Sequence, residues 1–416
     1  MKVLERSGVG GPLGTLTAAV LAAGAFASVW PSACSDGSLP RDDEVQADAT
    51  SDTGGNLSED TGGDSVGDAG FGDDSGNGDS GIDAGQTPGL VVEVHDTSRA
   101  FRGTTLLAES YTSRVIEVDM DGNVVWEWKV PQEYLGPRQG PPEADMLPNG
   151  NVQVLLSSFG IVEVSRGQDG GADGEVVWSA EIAPIDHDAD RLASGNVIFV
   201  FGMNDLLGDT VVTEIAPDGK VVWEWAASAA YGAEFPDTGP DWAHVNAVER
   251  LDNGDTLISP RDFYLTTIVN SEGHVVREYR YGLFGAATDP HEPNLLPDGN
   301  LLVCLQKDAP YQAVEIVASA GTDVDPARDV VWAYRHPTPF RTARDCDRLP
   351  NGNTLIVGVQ RTSAAPDSMD EESTMIEVTP EGDVVWQLTL RGVEAAGTPG
   401  YFYKAQRLGN GAVPAD

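Results

Sequence analysis

Three histidines, an arginine and two amides stand at matching places in a chain of 416 residues. His187 and His291 each lie five residues before a leucine that leads into a tight turn, in HDADRLASGN and HEPNLLPDGN. In the other units that offset reads Pro142, Asn246, Arg344 and Tyr403. His244 sits two residues before Asn246, Arg261 just after the following strand, and Gln306 at the equivalent place one unit later. An imidazole that titrates near neutrality can attack an electrophile or move a proton. A guanidinium offers a planar fork of donors to an oxyanion. Such a column in a chain of formal net charge −41 is suited to an anionic ligand. A single histidine here would read as a solvated or hydrogen-bonded structural residue; His274 reads as solvated in its Glu-Gly-His turn, and His95 and His336 read as loop residues. Three of six histidines on one column point to a site.

The elements that carry these residues follow from an internal repeat. One segment recurs as MLPNGNVQVL, RLASGNVIFV, RLDNGDTLIS, LLPDGNLLVC and RLPNGNTLIV. A second recurs as DGNVVWEW, DGEVVWSA, DGKVVWEW, EGHVVREY, DVVWAY and EGDVVWQL. Each unit reads as a strand, an Asn-Gly type turn, a β-branched strand, a third strand and a Pro-Asp-Gly type turn into the Val-Val-Trp strand. No 3.6-residue periodicity interrupts them. Four antiparallel strands repeated radially make a propeller blade. The expected fold is therefore all-β, a six-bladed propeller occupying residues 91–416. The first unit lacks an opening strand, and YFYKAQRLGNG (401–411) has the pattern to supply it. The ring is expected to close by pairing that segment with 104–128, which removes open sheet edges. The tryptophans Trp126, Trp178, Trp223, Trp332 and Trp386 are expected between blades. Side chains alternate along a strand, so the histidine column is expected to line one mouth of the central channel.

Two segments precede the ring. Residues 1–34 read as an export signal: Lys2 and Arg6, then the apolar run LTAAVLAAGAFASV, too short for a comfortable span. Pro31-Ser32-Ala33-Cys34 resembles a lipobox, with Pro31 where such motifs usually carry Leu. Lipidation at Cys34 and ordinary cleavage near Ala33 are the two readings. Residues 35–90 hold Asp, Gly, Ser and Thr with Arg41 as the one basic residue, a composition that cannot offset the entropy of ordering. They read as a stalk. The expected location is the periplasm or cell envelope, with a membrane partner only through the lipid. The acidic balance and the lack of Lys/Arg clusters exclude nucleic acid. No EF-hand loop and no His/Asp cluster of ligand spacing is present, so no metal and no cofactor is expected. Cys304 and Cys346 can pair in an oxidising compartment, which spacing does not decide.

The stretch DWAHVNAVERLDNGDTLISPRDFYLTTIV (241–269) resembles the bacterial arylsulfate sulfotransferases, which carry DW-x-H-x-N, a strand and then Ser-x-Arg. His244, Asn246, Ser259 and Arg261 match in order and spacing. HDADRLASGN and DPHEPNLLPDGN are similar to the family's earlier and later histidine-bearing blades, so the resemblance spans about residues 100–411. It implies transfer of a sulfuryl group from an aryl sulfate to a phenol through a sulfo-histidine, without a nucleotide donor. His291 would be the nucleophile, Arg261 the anion clamp, and His187 and His244 the proton-transfer groups. Asn246, Trp242, Tyr264, Gln306 and Arg344 would bind substrate, with Trp242, Phe263 and Tyr264 stacking on its ring. The alternative is a non-catalytic, envelope-tethered propeller that binds an anionic ligand or a protein partner. A quinone-dependent dehydrogenase or a lyase is disfavoured, because the chain lacks an adjacent-cysteine pair and a metal-ligand cluster.

Overall fold

In a computed structural model, the described residues are 2–5, 89–109, 113–136, 140–168, 171–182, 184–307, 309–337, 340–361, 371–391 and 402–409. The apolar export run, Cys34 and residues 35–88 of the stalk lie outside them, while Gly89 and Leu90, read as stalk, belong to the strand Gly89–His95. Among the described residues no helix is long and apolar enough to cross a membrane.

Six antiparallel sheets form the ring, and in blades two to six the first four strands run from the axis outward in chain order. Blade two starts at Glu143–Met146, blade three at Ala189–Arg191, blade four at Val245–Arg250, blade five at Thr288–Leu295 and blade six at Phe340–Arg348. Blade one takes its inner strand from Phe402–Gly409, paired antiparallel with Gly103–Glu109 from Phe402↔Glu109 to Gly409↔Gly103. The expected closure by the C-terminal segment is thus the observed one. Two blades gain a fifth, outer strand: Gly89–His95 covers Val384–Arg391, and Lys2–Glu5 covers Val176–Glu181.

Each inner hairpin turns the same way. In blade six, Leu349 N–H donates to Asn353 O at 2.8 Å and Gly352 N–H to Leu349 O at 2.8 Å. Gly352 has φ +88°, a conformation open to glycine and costly to a branched residue. The Asn-Gly signal therefore reports a real backbone requirement.

The tryptophans clamp one blade to the next. The indole N–H of Trp223 donates to Ser271 O (2.9 Å), that of Trp332 to Pro380 O (3.0 Å), and that of Trp386 to Met120 O across the closure (2.9 Å). An arginine stacks on each ring, as Arg250 does on Trp223 at 4.8 Å and Arg407 on Trp386 at 4.3 Å. Blade four carries Arg277 at the tryptophan position. Its guanidinium donates to Ala318 O, so the clamp persists with a different donor.

At the axis a second fastening appears. Side chains on each inner strand bond the backbone of the next. Gln406 accepts from Met146 N–H, Glu143 from Ala189 N–H, Asp188 from Val248 N–H, Glu249 from Leu295 N–H, and Asp345 from Ala405 N–H. Asn294 donates to Cys346 O between blades five and six. All six junctions are bridged, and backbone groups of the innermost strands gain partners there.

Candidate active site at the channel mouth

In blades four, five, six and one, the column of residues five before each turn leucine stands beside a local irregularity of the inner strand. In blade four Val245 pairs Pro260 while Val248 pairs Ile258, so one extra residue is inserted. The same happens between His291 and Asn294, between Ala343 and Asp345, and between Phe402 and Ala405. A bulge re-aims side chains and breaks the period-two alternation. Consequently the residues five, four and two positions before the turn leucine can share the axis.

His187 and His244 meet there, with Nε2 to Nε2 3.3 Å and ring centroids 5.0 Å apart, edge to face. Arg261 Nη2 lies 3.0 Å from His244 Nδ1, and Asp186 Oδ1 lies 3.4 Å from His187 Nδ1. A guanidinium can only donate, so while Arg261 bonds His244 Nδ1 the His244 proton falls on Nε2, toward His187. Asp241 Oδ1, 3.6 Å from the same Nδ1, faces it when that nitrogen is protonated. Arg261, His244, His187 and Asp186 thus form one row of side chains. Arg261 is further held by Asp262, Nε to Oδ1 2.9 Å.

Backbone strain supports this placement. His187 has φ +72° and His244 φ +45°, left-handed conformations that a histidine adopts at some cost. Three groups that the motif reading missed hold them. Asp205 accepts from both Ala243 N–H (2.8 Å) and His244 N–H (2.9 Å). Asp186 accepts from His187 N–H at 2.8 Å. Gly202 makes room: a Cβ there would lie 2.5 Å from His187 Nδ1. Asp186 stands directly before HDADRL, outside the segment that carried the motif, and the glycine gave no signal.

His291 enters from blade five. Its neighbour Pro290 offers a carbonyl that accepts from Asn246 Nδ2 at 3.0 Å and from Ser259 Oγ at 3.4 Å. The side-chain amide of Gln306 lies 2.6 Å from His291 Nε2. Its strand packs against the Arg261 turn and against the blade-six inner strand. On the far side Tyr403 meets His187 edge to face at 5.3 Å, and Arg344 lies over the Tyr403 ring at 4.9 Å. His187, His244 and His291 are at most 2 % exposed, Arg261 6 % and Arg344 4 %. Charges in such a setting interact more strongly than in water.

Two expectations need correction. Trp242 does not face the mouth. It packs edge-on against Phe263 at 4.8 Å, and its indole N–H bonds Phe235 O and Pro236 O. Phe263 in turn stacks on Phe235 at 4.2 Å. Both belong to an aromatic core built around the insertion that holds the helix Ser228–Tyr231, so neither stacks on a ligand. Tyr264 follows the Arg261 turn, half-buried at φ +54°. Asn246 acts on the strand of His291 rather than standing free. Pro142 is buried and adds no polar atom.

The second correction concerns charge. One layer beneath the imidazoles the axis is acidic. Lys404 Nζ contacts Asp188 Oδ1 (2.6 Å), Glu143 Oε1 (2.7 Å) and Glu292 Oε2 (2.9 Å), carboxylates of three different blades. Asp145, Asp190, Glu249, Asp345 and Asp347 surround them. Burial pushes the Asp145 carboxyl up to about 7, Glu249 to about 7 and Asp347 to about 6, and pushes those of Glu143, Asp190, Glu292 and Asp345 upward as well. The expected cationic funnel is therefore a thin layer over an acidic one. Among the described residues no group of three His, Cys, Asp or Glu side chains is arranged to hold a metal.

Cys304 and Cys346 are free and buried on adjacent blades.

No family model matches the chain, and no curated protein matches it. Among solved structures it is similar to a protein of unknown function from Bacteroides caccae, 14 % identical over 70 % of this chain and 100 % of that one, TM-score 0.49. It is also similar to a virginiamycin B lyase from Staphylococcus aureus, 11 % identical over 74 % and 100 %, TM-score 0.42. A regucalcin from Agrobacterium tumefaciens is 14 % identical over 51 % of this chain and 66 % of that one, TM-score 0.35. None of these likenesses bears on the chemistry at the mouth; the chain is, by its own sheet order, a six-bladed β-propeller.

Proposed function

We propose that the mouth transfers a sulfuryl group from an aryl sulfate to a phenol, with His291 as the carrier. The observation that supports this most is the chain Arg261–His244–His187, at 3.0 and 3.3 Å, beside the strand of His291. An imidazole nitrogen of His291 attacks sulfur, and the sulfur–oxygen bond to the aryl group breaks. The phenolate leaves with the electron pair and takes a proton from the His187–His244 pair, which enters this step carrying one extra proton as an imidazolium and leaves it neutral. An acceptor phenol returns that proton to the pair as its oxygen attacks sulfur, and the sulfur–nitrogen bond breaks. Arg261 offers preformed positive charge to the three sulfuryl oxygens in both steps. In the closed mouth the imidazoles contact one another, and substrate replaces the His187–His244 and Gln306–His291 contacts.

The test is incubation with 4-nitrophenyl sulfate and phenol, followed by nitrophenolate release. The wild-type protein is expected to turn over, and His291→Ala to lose about 10³-fold or more. Release undiminished in His291→Ala sinks the proposal. Inertness of the wild type together with tight binding of an aryl sulfate would leave a ligand-binding ring in its place. We also propose, from residues 1–90, that the ring works outside the cytoplasmic membrane on a stalk lipidated at Cys34; cleavage before Cys34 removes Lys2–Glu5, so that blade two of the mature protein keeps four strands. Metabolic labelling with a fatty acid that survives in Cys34→Ala would refute that anchor.

A further inference from the structure

The mouth has a second cation that a simple phenol does not use. Arg344 is the residue inserted by the blade-six bulge, between Ala343↔Gly358 and Asp345↔Val357. Gly358 opposite permits the close approach: a Cβ there would lie 2.3 Å from Thr342 O. The bulge carries the guanidinium over Tyr403, whose ring meets His187. The two sides of the mouth are thereby alike. On one, Arg261 abuts His244, which abuts His187. On the other, Arg344 abuts Tyr403, which abuts His187. The strand of His291 packs on both the Arg261 turn and the Arg344 strand. Sulfuryl transfer occupies one guanidinium. A second, 4 % exposed and stacked on an aromatic ring, is placed for a second anion held on a ring plane.

We propose that Arg344, presented by Tyr403, is a specificity-determining residue that takes an anionic substituent of the phenol, so that the preferred acceptors are carboxylated phenols. This rests on the sulfuryl-transfer reading of the same site. The ring of the acceptor lies along Tyr403, its carboxylate faces Arg344, and its hydroxyl points back to the His187–His244 pair.

The experiment compares 4-hydroxybenzoate with its methyl ester as acceptors, which differ in charge and little in shape. Wild type is expected to favour the carboxylate in kcat/KM by about tenfold or more, since a site built for a polar group discriminates against its absence. In Arg344→Met that ratio falls toward one through KM, and Arg344→Lys restores part of it. A wild-type ratio near one, or a ratio unchanged in Arg344→Met, overturns the inference while turnover of the ester leaves sulfuryl transfer standing. If neither acceptor is sulfated, calorimetry of 4-hydroxybenzoate decides separately. Binding weakened about tenfold in a folded Arg344→Met protein, judged by thermal melting, upholds the subsite; equal binding removes it.

Discussion

The mouth and the layer beneath it are built from neighbouring residues of the same strands, and they use polar side chains in opposite ways. At the mouth, side chain meets side chain: His187 with His244, Arg261 with His244, Arg344 with Tyr403. Such contacts can be exchanged for contacts to a ligand without loosening the ring. One residue further along, side chain meets backbone, and Glu143, Asp188 and Asp345 each hold the next blade. Those bonds are part of the ring itself. The comparison teaches that a polar axis need not be a site throughout. What sets the lower layer apart is that its carboxylates hold the main chain of the next blade as well as the Lys404 ammonium.

Substitutions should separate the layers cleanly. The largest stability effect is expected for Lys404→Met, which leaves Glu143, Asp188 and Glu292 buried without their counter-charge and costs about 3–5 kcal/mol. Urea denaturation checks it, and a cost below about 1 kcal/mol would erase the distinction drawn here. Next comes pH. Asp145, Glu249 and Asp347 have folded values raised to about 7, 7 and 6, so the folded state holds more protons than the unfolded state from about pH 4 upward. Stability from these groups is full below the unfolded carboxyl range and is lost as pH rises through their folded values. The slope is about 1.4 kcal/mol per pH unit for each fully responding group. Melting temperature should therefore fall between pH 5 and pH 8, and a rise over that window would contradict the burial argument. The smallest stability effect belongs to the mouth. In His187→Asn a side chain that tolerates left-handed backbone replaces one that is strained there. Stability should stay within about 1 kcal/mol of wild type, while phenolate release falls about 10²-fold or more. A protein that unfolds instead would show that the imidazole pair is structural.

The repeat made most of the ring legible. Asn-Gly turns and Val-Val-Trp strands report local geometry, and the missing opening strand of blade one pointed to its replacement. The column of His187, Asn246, His291, Arg344 and Tyr403 was legible for the same reason. What strict alternation concealed was the parity change. Strict alternation puts Glu292 and Lys404 on the face opposite their neighbours His291 and Tyr403, whereas the bulges of blades five and one bring both sets to the axis. Trp242 was misjudged because nothing in DWAHVN shows that the preceding insertion folds back and supplies Phe235 as its partner. Asp205 and Gly202 act through a backbone amide and through empty space, and neither leaves a pattern.

The closure has a consequence for how the ring comes together. Gly409 pairs with Gly103 across most of the propeller's length, and that same strand delivers Lys404 among carboxylates from three other blades. An incomplete ring thus holds clustered negative charge with no cation to relieve it. Loop-closure entropy already slows such a distant pairing. Repulsion along the open axis adds a penalty that vanishes only when the final strand docks, so assembly is all-or-none, unlike an open array of repeats that can grow or fray one unit at a time.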